Sequence, residues 1–205
     1  MIPMLPNKAS VEPVLVRLKD IDIPVPALQK ANPDINRFSA GFIILREDPV
    51  ELSKPHAFLV QRGFDGSWGG TWEGPGGGYE PSKDATIVET ALRETQEEAG
   101  IVIPLEAIFP LVYRRTFEHK GLLMNYYTFI AQLRGEFPVT LSDEHLAWGF
   151  FNEKEARSFG TFDKEEARQQ KHVMLESKKR TLCHIFINKE RLENGDEKGI
   201  MHVNR

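Results

Sequence analysis

Glu94, Glu97 and Glu98 stand at i, i+3 and i+4, a spacing that on a helix places three carboxylates on one side. Like charges that close repel one another unless a cation sits among them. Hard oxygen donors at this density suit magnesium or manganese, which keep several waters and share the remaining positions with phosphate oxygens. Taken alone, the triplet reads more simply as a solvated acidic face. The preceding Pro75-Gly76-Gly77-Gly78 shifts the balance, because glycines let a backbone turn sharply and bring its amides and carbonyls against a metal-phosphate complex.

The elements that must hold these residues follow from periodicity. Ala85, Val88, Leu92, Thr95 and Ala99 recur in steps of three and four, which predicts a helix over Ala85 to Ala99 with one buried stripe. Gly100 is placed to end it. Ala40 to Arg46 and Ala57 to Arg62 are apolar runs rich in β-branched and aromatic residues and read as neighbouring strands, followed by a glycine-rich turn from Gly63 to Gly70. Ile108 to Phe117, Leu122 to Leu133 and Trp148 to Phe151 read as further strands, with helices expected at Asn152 to Arg157 and within Asp163 to Arg180. Six prolines between Pro3 and Pro33 exclude a long helix at the start of the chain. Val14-Leu15-Val16 can still form a short strand, and compact structure is expected from near Phe38.

A chain of 205 residues, 40% apolar, with a net charge of −4, fits one soluble globular domain and argues against a nucleic-acid-binding module. A polyanionic ligand would need local cations or metal ions. Cys183 is the single cysteine, which excludes an intrachain disulfide, a thiolate zinc cage and a Cys-x-x-Cys pair, and fits a reducing cytoplasm. Residues 1–8 lack the pattern of a leader peptide, and no segment is long and apolar enough to suggest a membrane partner. The expected organisation is a proline-rich arm at 1–37, a main domain at 38–160 and a helical extension at 161–205 packed on that domain. The arm is also where a homodimer contact would fall, although no residue there argues for one.

Arg93-Glu94-Thr95-Gln96-Glu97-Glu98-Ala99-Gly100-Ile101, preceded by Trp72-Glu73-Gly74-Pro75-Gly76-Gly77-Gly78-Tyr79-Glu80, resembles the Nudix box, with Thr95 the soft match at an apolar position. The resemblance covers roughly Phe38 to Ala156 and implies an α/β fold, the Nudix-type α/β/α sandwich with a mixed sheet between helices. By the same resemblance, Glu94, Glu97 and Glu98 hold magnesium or manganese ions with help from the carbonyl of Gly77 or Gly78, and Arg93 orients the glutamates. The implied reaction is attack of a metal-activated water on a pyrophosphate of a nucleotide substrate, a nucleoside diphosphate linked to another group. Ser142-Asp143-Glu144-His145 resembles a Glu-His pair found before a late strand in many of these hydrolases. That makes Glu144, beside Glu98, a candidate general base; a solvated turn glutamate is the equal alternative, and His145 alone reads as a surface histidine. Arg62, at a strand end beside the glycine turn, is better placed to meet substrate phosphate than Arg46, Arg114 or Arg115.

One departure stands out. The family pattern sets five residues between its first glycine and a glutamate, and seven more before the arginine. Counting from Gly77 meets Lys83 and Ala91, and counting from Gly78 meets Asp84 and Leu92, so one or two residues are inserted. Asp84, with Glu80 second, is the expected replacement for the glutamate that braces the arginine. The extra residues are expected within Tyr79 to Asp84, with Ser82 or Asp84 capping the helix and no bulge inside it. Two other classes remain. One is a Nudix domain that senses a nucleotide without cleaving it, marked by lost box glutamates; the other is an isomerase of the isopentenyl diphosphate kind, which relies on an active-site cysteine.

Overall fold

A computed structural model describes residues 13–47, 54–65, 68–162 and 172–197. Five strands come first along the chain: β1 (Val14–Arg17), β2 (Arg37–Glu47), β3 (Pro55–Arg62), β4 (Trp72–Glu73) and β5 (Gly76–Gly78). Two short helices, α1 (Leu18–Ile21) and α2 (Val25–Ala31), fall between the first two strands, and α3 (Ile87–Ala99) follows β5. Next come β6 (Leu111–His119), β7 (Leu122–Leu133), β8 (His145–Phe151), α4 (Glu153–Ser158), the parallel pair β9 (Gly160–Thr161) and β10 (Val173–Met174), and α5 (Glu176–Glu193).

The main sheet runs β1-β6-β7-β2-β3-β4, with β5 paired to β2 and β8 to β3. It is mixed: β2 and β7 are parallel, and the other pairs are antiparallel. Alternate residues of β2 enter different cores, Phe42 and Ile44 on the α3 side and Ile43 and Leu45 on the α5 side. Phe58 and Val60 of β3 divide from Ala57 and Leu59 in the same way. Strands buried on both faces are continuous apolar runs, which is why Ala40 to Arg46 shows no polar alternation. The fold is an α/β/α sandwich around a mixed sheet.

Packed structure begins earlier than Phe38. β1 pairs with β6 in register Val14↔Arg114 to Arg17↔Leu111, and Ile21, Val25 and Leu28 are buried in the α3-side core. The prolines shorten these helices and do not prevent packing. The strand expected from Ile108 starts at Leu111, after a 3₁₀ turn at Leu105–Ala107. The helix expected within Asp163 to Arg180 falls partly on residues 163–171, outside the described residues; a helix does run from Glu176 to Glu193. No helix among the described residues is long and apolar enough to cross a membrane.

Helix α3 carries the carboxylates, and its boundaries correct two expectations. It starts at Ile87, capped by Thr86: the Thr86 hydroxyl accepts from the Glu89 amide at 3.2 Å, and Glu89 Oε2 accepts from the Thr86 amide at 3.3 Å. This reciprocal box outcompetes Ser82 and Asp84 as N-cap. Asp84 has its oxygens committed elsewhere, as described below. Ala85 therefore lies outside the helix and is exposed, while Ile87 and Ala91 join Val88, Thr95 and Ala99 in the buried stripe. Gly100 closes α3 at φ 70°, a left-handed conformation that glycine adopts without strain. The insertion is taken up before the helix: the amides of Lys83 and Asp84 both donate to the Glu80 carbonyl, at 3.0 and 2.9 Å, closing an extra turn. α3 is an uninterrupted α-helix.

Candidate active site

The glycine turn meets α3 through its backbone. Tyr79 N donates to Phe38 O at 3.0 Å and Phe42 N to Pro75 O at 2.9 Å. Antiparallel alternation then makes Ala40 and Gly77 the hydrogen-bonded pair between them, so the amides and carbonyls of Gly76 and Gly78 point away from β2. Gly76 N donates to Glu98 Oε2 at 2.7 Å, and Gly78 O accepts from Arg93 Nη2 at 2.9 Å. The turn is packed too tightly for side chains. A Cβ on Gly77 would lie 2.5 Å from the Glu94 carboxyl carbon, and one on Gly41 of β2 would lie 2.4 Å from both the Pro75 carbonyl and the Tyr126 hydroxyl. Gly41→Ala must displace backbone, so it is expected to destabilise the fold by about 1–3 kcal/mol. A thermal midpoint equal to wild type would contradict this packing.

The three glutamates occupy different environments. Glu97 is exposed, Glu94 is partly buried and Glu98 is 7% exposed, so the triplet is not a uniformly solvated face opposite the apolar stripe. Burial pushes the Glu98 carboxyl up to about 8, against the Gly76 amide that favours the carboxylate. Burial also raises Glu94, with Arg93 opposing it.

Arg93 is the hub. It donates from Nε to Asp84 Oδ1 at 2.7 Å and from Nη2 to Asp84 Oδ2 at 2.9 Å, a two-pronged pair, and its Nη1 lies 2.8 Å from Glu94 and 2.9 Å from Glu97. Asp84 also accepts from the Thr90 hydroxyl and the Glu80 amide. Burial works against ionising Asp84, but the bonds from Arg93, the Glu80 amide and Thr90 hold its carboxyl below the usual range. Glu80 approaches Arg93 no closer than 3.7 Å. The inserted turn thus delivers an aspartate to the bracing position.

Among the described residues, no three carboxylate, imidazole or thiol groups are gathered tightly enough to enclose an ion. Arg93 stands between Glu94 and Glu97. The donors nonetheless fit a hard cation that retains water: Glu98 and Glu94 carboxylates lie against one glycine turn whose Gly76 carbonyl is turned away from β2.

The loop before β8 closes the other side of this site. Glu144 is exposed, and its charge is felt by both Glu98 and His145. His145 is no surface histidine: it is 8% exposed, with Nε2 3.8 Å from Glu98 Oε1 and Nδ1 3.2 Å from Ser142 Oγ. Burial, then the Arg62 charge, hold its pKa below the ordinary value, so neutral imidazole faces Glu98. Ser142 N donates to Glu98 O at 3.0 Å, tying this loop to the end of α3.

Arg62 does reach the site, but in company. Its Nη1 lies 2.6 Å from Glu73 Oε1, and Lys178 of α5 contacts the other Glu73 oxygen. Glu73 is 5% exposed. Arg46 instead stacks on Phe150, at 3.6 Å to the ring centroid. The sequence does not mark Glu73 or Lys178 as neighbours of this site, Glu73 having only its place beside the glycine turn as a signal; His145 is marked by its pairing with Glu144, but its burial is not. Of the tyrosines on the downstream strands, Tyr127 is fully buried in the α3-side core, whereas Tyr113 and Tyr126 line a cleft on the α5 side.

A carboxylate-bearing helix, a glycine turn and a mixed sheet between helices define a Nudix architecture. The NUDIX domain model matches residues 36–176, and the chain belongs to the Nudix family. A NUDIX hydrolase from Alicyclobacillus acidocaldarius is similar in fold, with a TM-score of 0.54 and 15% identity over 75% of this chain and 92% of that one. A MutT protein from Methanosarcina mazei Go1 gives 0.53 and 19% over 76% and 95%. A NUDIX hydrolase from Nitrosomonas europaea gives 0.53 and 18% over 77% and 73%. At these identities the likeness speaks for the fold alone. Comparison with curated proteins finds no match.

Proposed function

We propose that the chain is a divalent-metal-dependent hydrolase of a phosphoanhydride bond in a nucleoside diphosphate linked to another moiety. The observation that carries this reading is Glu98, held by the Gly76 amide, with Glu94 beside it paired to an Arg93 that Asp84 braces. Glu94, Glu97 and Glu98 would hold magnesium or manganese. Gly76 replaces Gly77 as the favoured backbone donor, because the Gly77 backbone faces β2 and Gly78 O already accepts from Arg93. Bound metal would supply charge neutralisation on the phosphate oxygens and acidify water. Arg93 orients the carboxylates, Arg62 offers positive charge to substrate phosphate from its pair with Glu73, and Glu98 or Glu144 takes the proton from the attacking water.

A non-catalytic sensor is less well supported, since all three box glutamates are present. For an isomerase, Cys183 is buried in α5, the helix on the sheet face opposite α3, and burial raises its thiol pKa. The lone cysteine fits a reducing cytoplasm. A panel of dinucleoside polyphosphates, nucleotide sugars, ADP-ribose and nucleoside triphosphates, incubated with magnesium or manganese and read by chromatography, is expected to yield a nucleoside monophosphate or inorganic phosphate product. Cleavage of none of them would overturn the reading.

Metal titrations assign Glu144. If it is the general base, Glu144→Gln lowers kcat by about 100-fold or more at every metal concentration. If it is a metal ligand, the same change raises the metal concentration needed and is recovered by excess metal. Unchanged activity removes Glu144 from the site and leaves Glu98 as the base.

A further inference from the structure

We propose that the cleft between α5 and strands β6 and β7 is an anion subsite in which Lys178 and Arg115 hold a phosphoryl group of the substrate beyond the bond being cleaved. The proposal rests on the hydrolase reading above. The cleft is narrow, about 30 Å³, room for one small polar group rather than a whole nucleotide, and is lined by Glu73, Tyr113, Arg115, Tyr126, Ser177 and Lys178 among others.

Its charge is unbalanced. Two cations, Lys178 and Arg115, line it with one carboxylate, Glu73. Arg62 and Lys178 share Glu73, one on each oxygen. Arg115 contacts the Ser177 hydroxyl, lies 4.5 Å from the Phe117 ring centroid, and pairs with no carboxylate among the described residues. The Lys178 side chain is 20% exposed and its ammonium lies 5.2 Å from the Tyr126 ring centroid. Surplus positive charge held away from water is costly unless an anion meets it. Burial, then the Arg62 charge, pull Lys178 down to about 7 even with Glu73 beside it, and burial lowers Arg115.

The cleft is also in the right place. Tyr126 forms its wall, and the Tyr126 hydroxyl lies so close to the turn that a Cβ on Gly76 would come within 2.8 Å of it. The Gly76 amide holds Glu98. One aromatic ring therefore separates the cations from the carboxylates, so one polyphosphate chain can reach both. Arginine and lysine are the side chains that recognise phosphate by paired hydrogen bonds and by point charge.

The test uses the full chain with a chelator present, so that neither metal nor turnover is involved, and inorganic pyrophosphate as the probe in titration calorimetry. Lys178→Met and Arg115→Gln, each checked by circular dichroism, are expected to weaken pyrophosphate binding by about tenfold or more, one lost charge-assisted contact. Should one variant fail to fold, the other carries the test. Failure of the wild type to bind pyrophosphate overturns the subsite. So do folded variants that bind as the wild type does, the behaviour of a network that merely ties α5 to the sheet. Absence of cleavage in the nucleotide panel overturns the hydrolase reading and leaves this binding result standing.

Discussion

Glu98→Gln is expected to lower kcat by about two or more orders of magnitude on whichever nucleotide proves the best substrate, the range for a group acting directly on transition-state charge or proton transfer. Glu97→Gln is expected to do the same as a ligand, although it is exposed and paired with Arg93 at 2.9 Å. Stability should move differently. Gln at position 98 can still accept from the Gly76 amide and removes a carboxyl that burial pushes up to about 8. Between the ordinary carboxylate range and that value, the folded metal-free protein holds a proton that the unfolded chain has released. Wild-type stability therefore falls as pH rises through this window, and the glutamine variant is spared that loss. Steady-state kinetics with saturating metal, and thermal melts across pH in chelator, check both parts. Wild-type rates in both variants would remove the carboxylates from the chemistry.

Asp84→Ala is expected to destabilise the protein by about 3 kcal/mol, because it strips a buried, two-pronged partner from Arg93, leaves the Glu80 amide without its acceptor and leaves the Thr90 hydroxyl only its longer bond to the Thr86 carbonyl. For a domain of this size that is a fall of about 6–12 °C in Tm. kcat should fall as well, since Arg93 then loses the anchor that fixes it against Glu94, Glu97 and Gly78 O. Glu80→Ala is the control: its carboxylate is 3.7 Å from Arg93 and 45% exposed, so its loss should cost no more than about 1 kcal/mol. A melt in which Glu80→Ala is the more damaging would show that the bracing carboxylate has been misidentified.

The bracing exchange shows how far sequence reasoning reaches. Neither register of the family pattern placed a glutamate correctly, yet Asp84 was identifiable, because an insertion confined between a glycine turn and a helix start leaves few acidic residues within reach of Arg93. The helix cap is Thr86, with Glu89 three residues on, and not Ser82 or Asp84. Asp84 carries the same capping preference, and sequence alone does not show that a side chain is already engaged. The burial of His145 departs from expectation for a similar reason. A histidine in a turn is usually solvated, but this loop is drawn over α3 by the Ser142 bond to Glu98 O.

What the sequence determined by itself is what short-range periodicity and spacing encode: the doubly buried strands, the α3 stripe, the glycine turn and the carboxylates one helical turn apart. Tertiary structure decided which carboxylate is buried, since Glu98 and Glu97 are neighbours in sequence, yet Glu98 turns inward to the Gly76 amide and His145 while Glu97 stays exposed beside Arg93. It also decided the partners of Arg62. Glu73 lies on β4 and Lys178 on α5, and no local pattern relates them. They meet because the sheet is covered on both faces, and charges from distant segments converge where the second layer of helix closes over it.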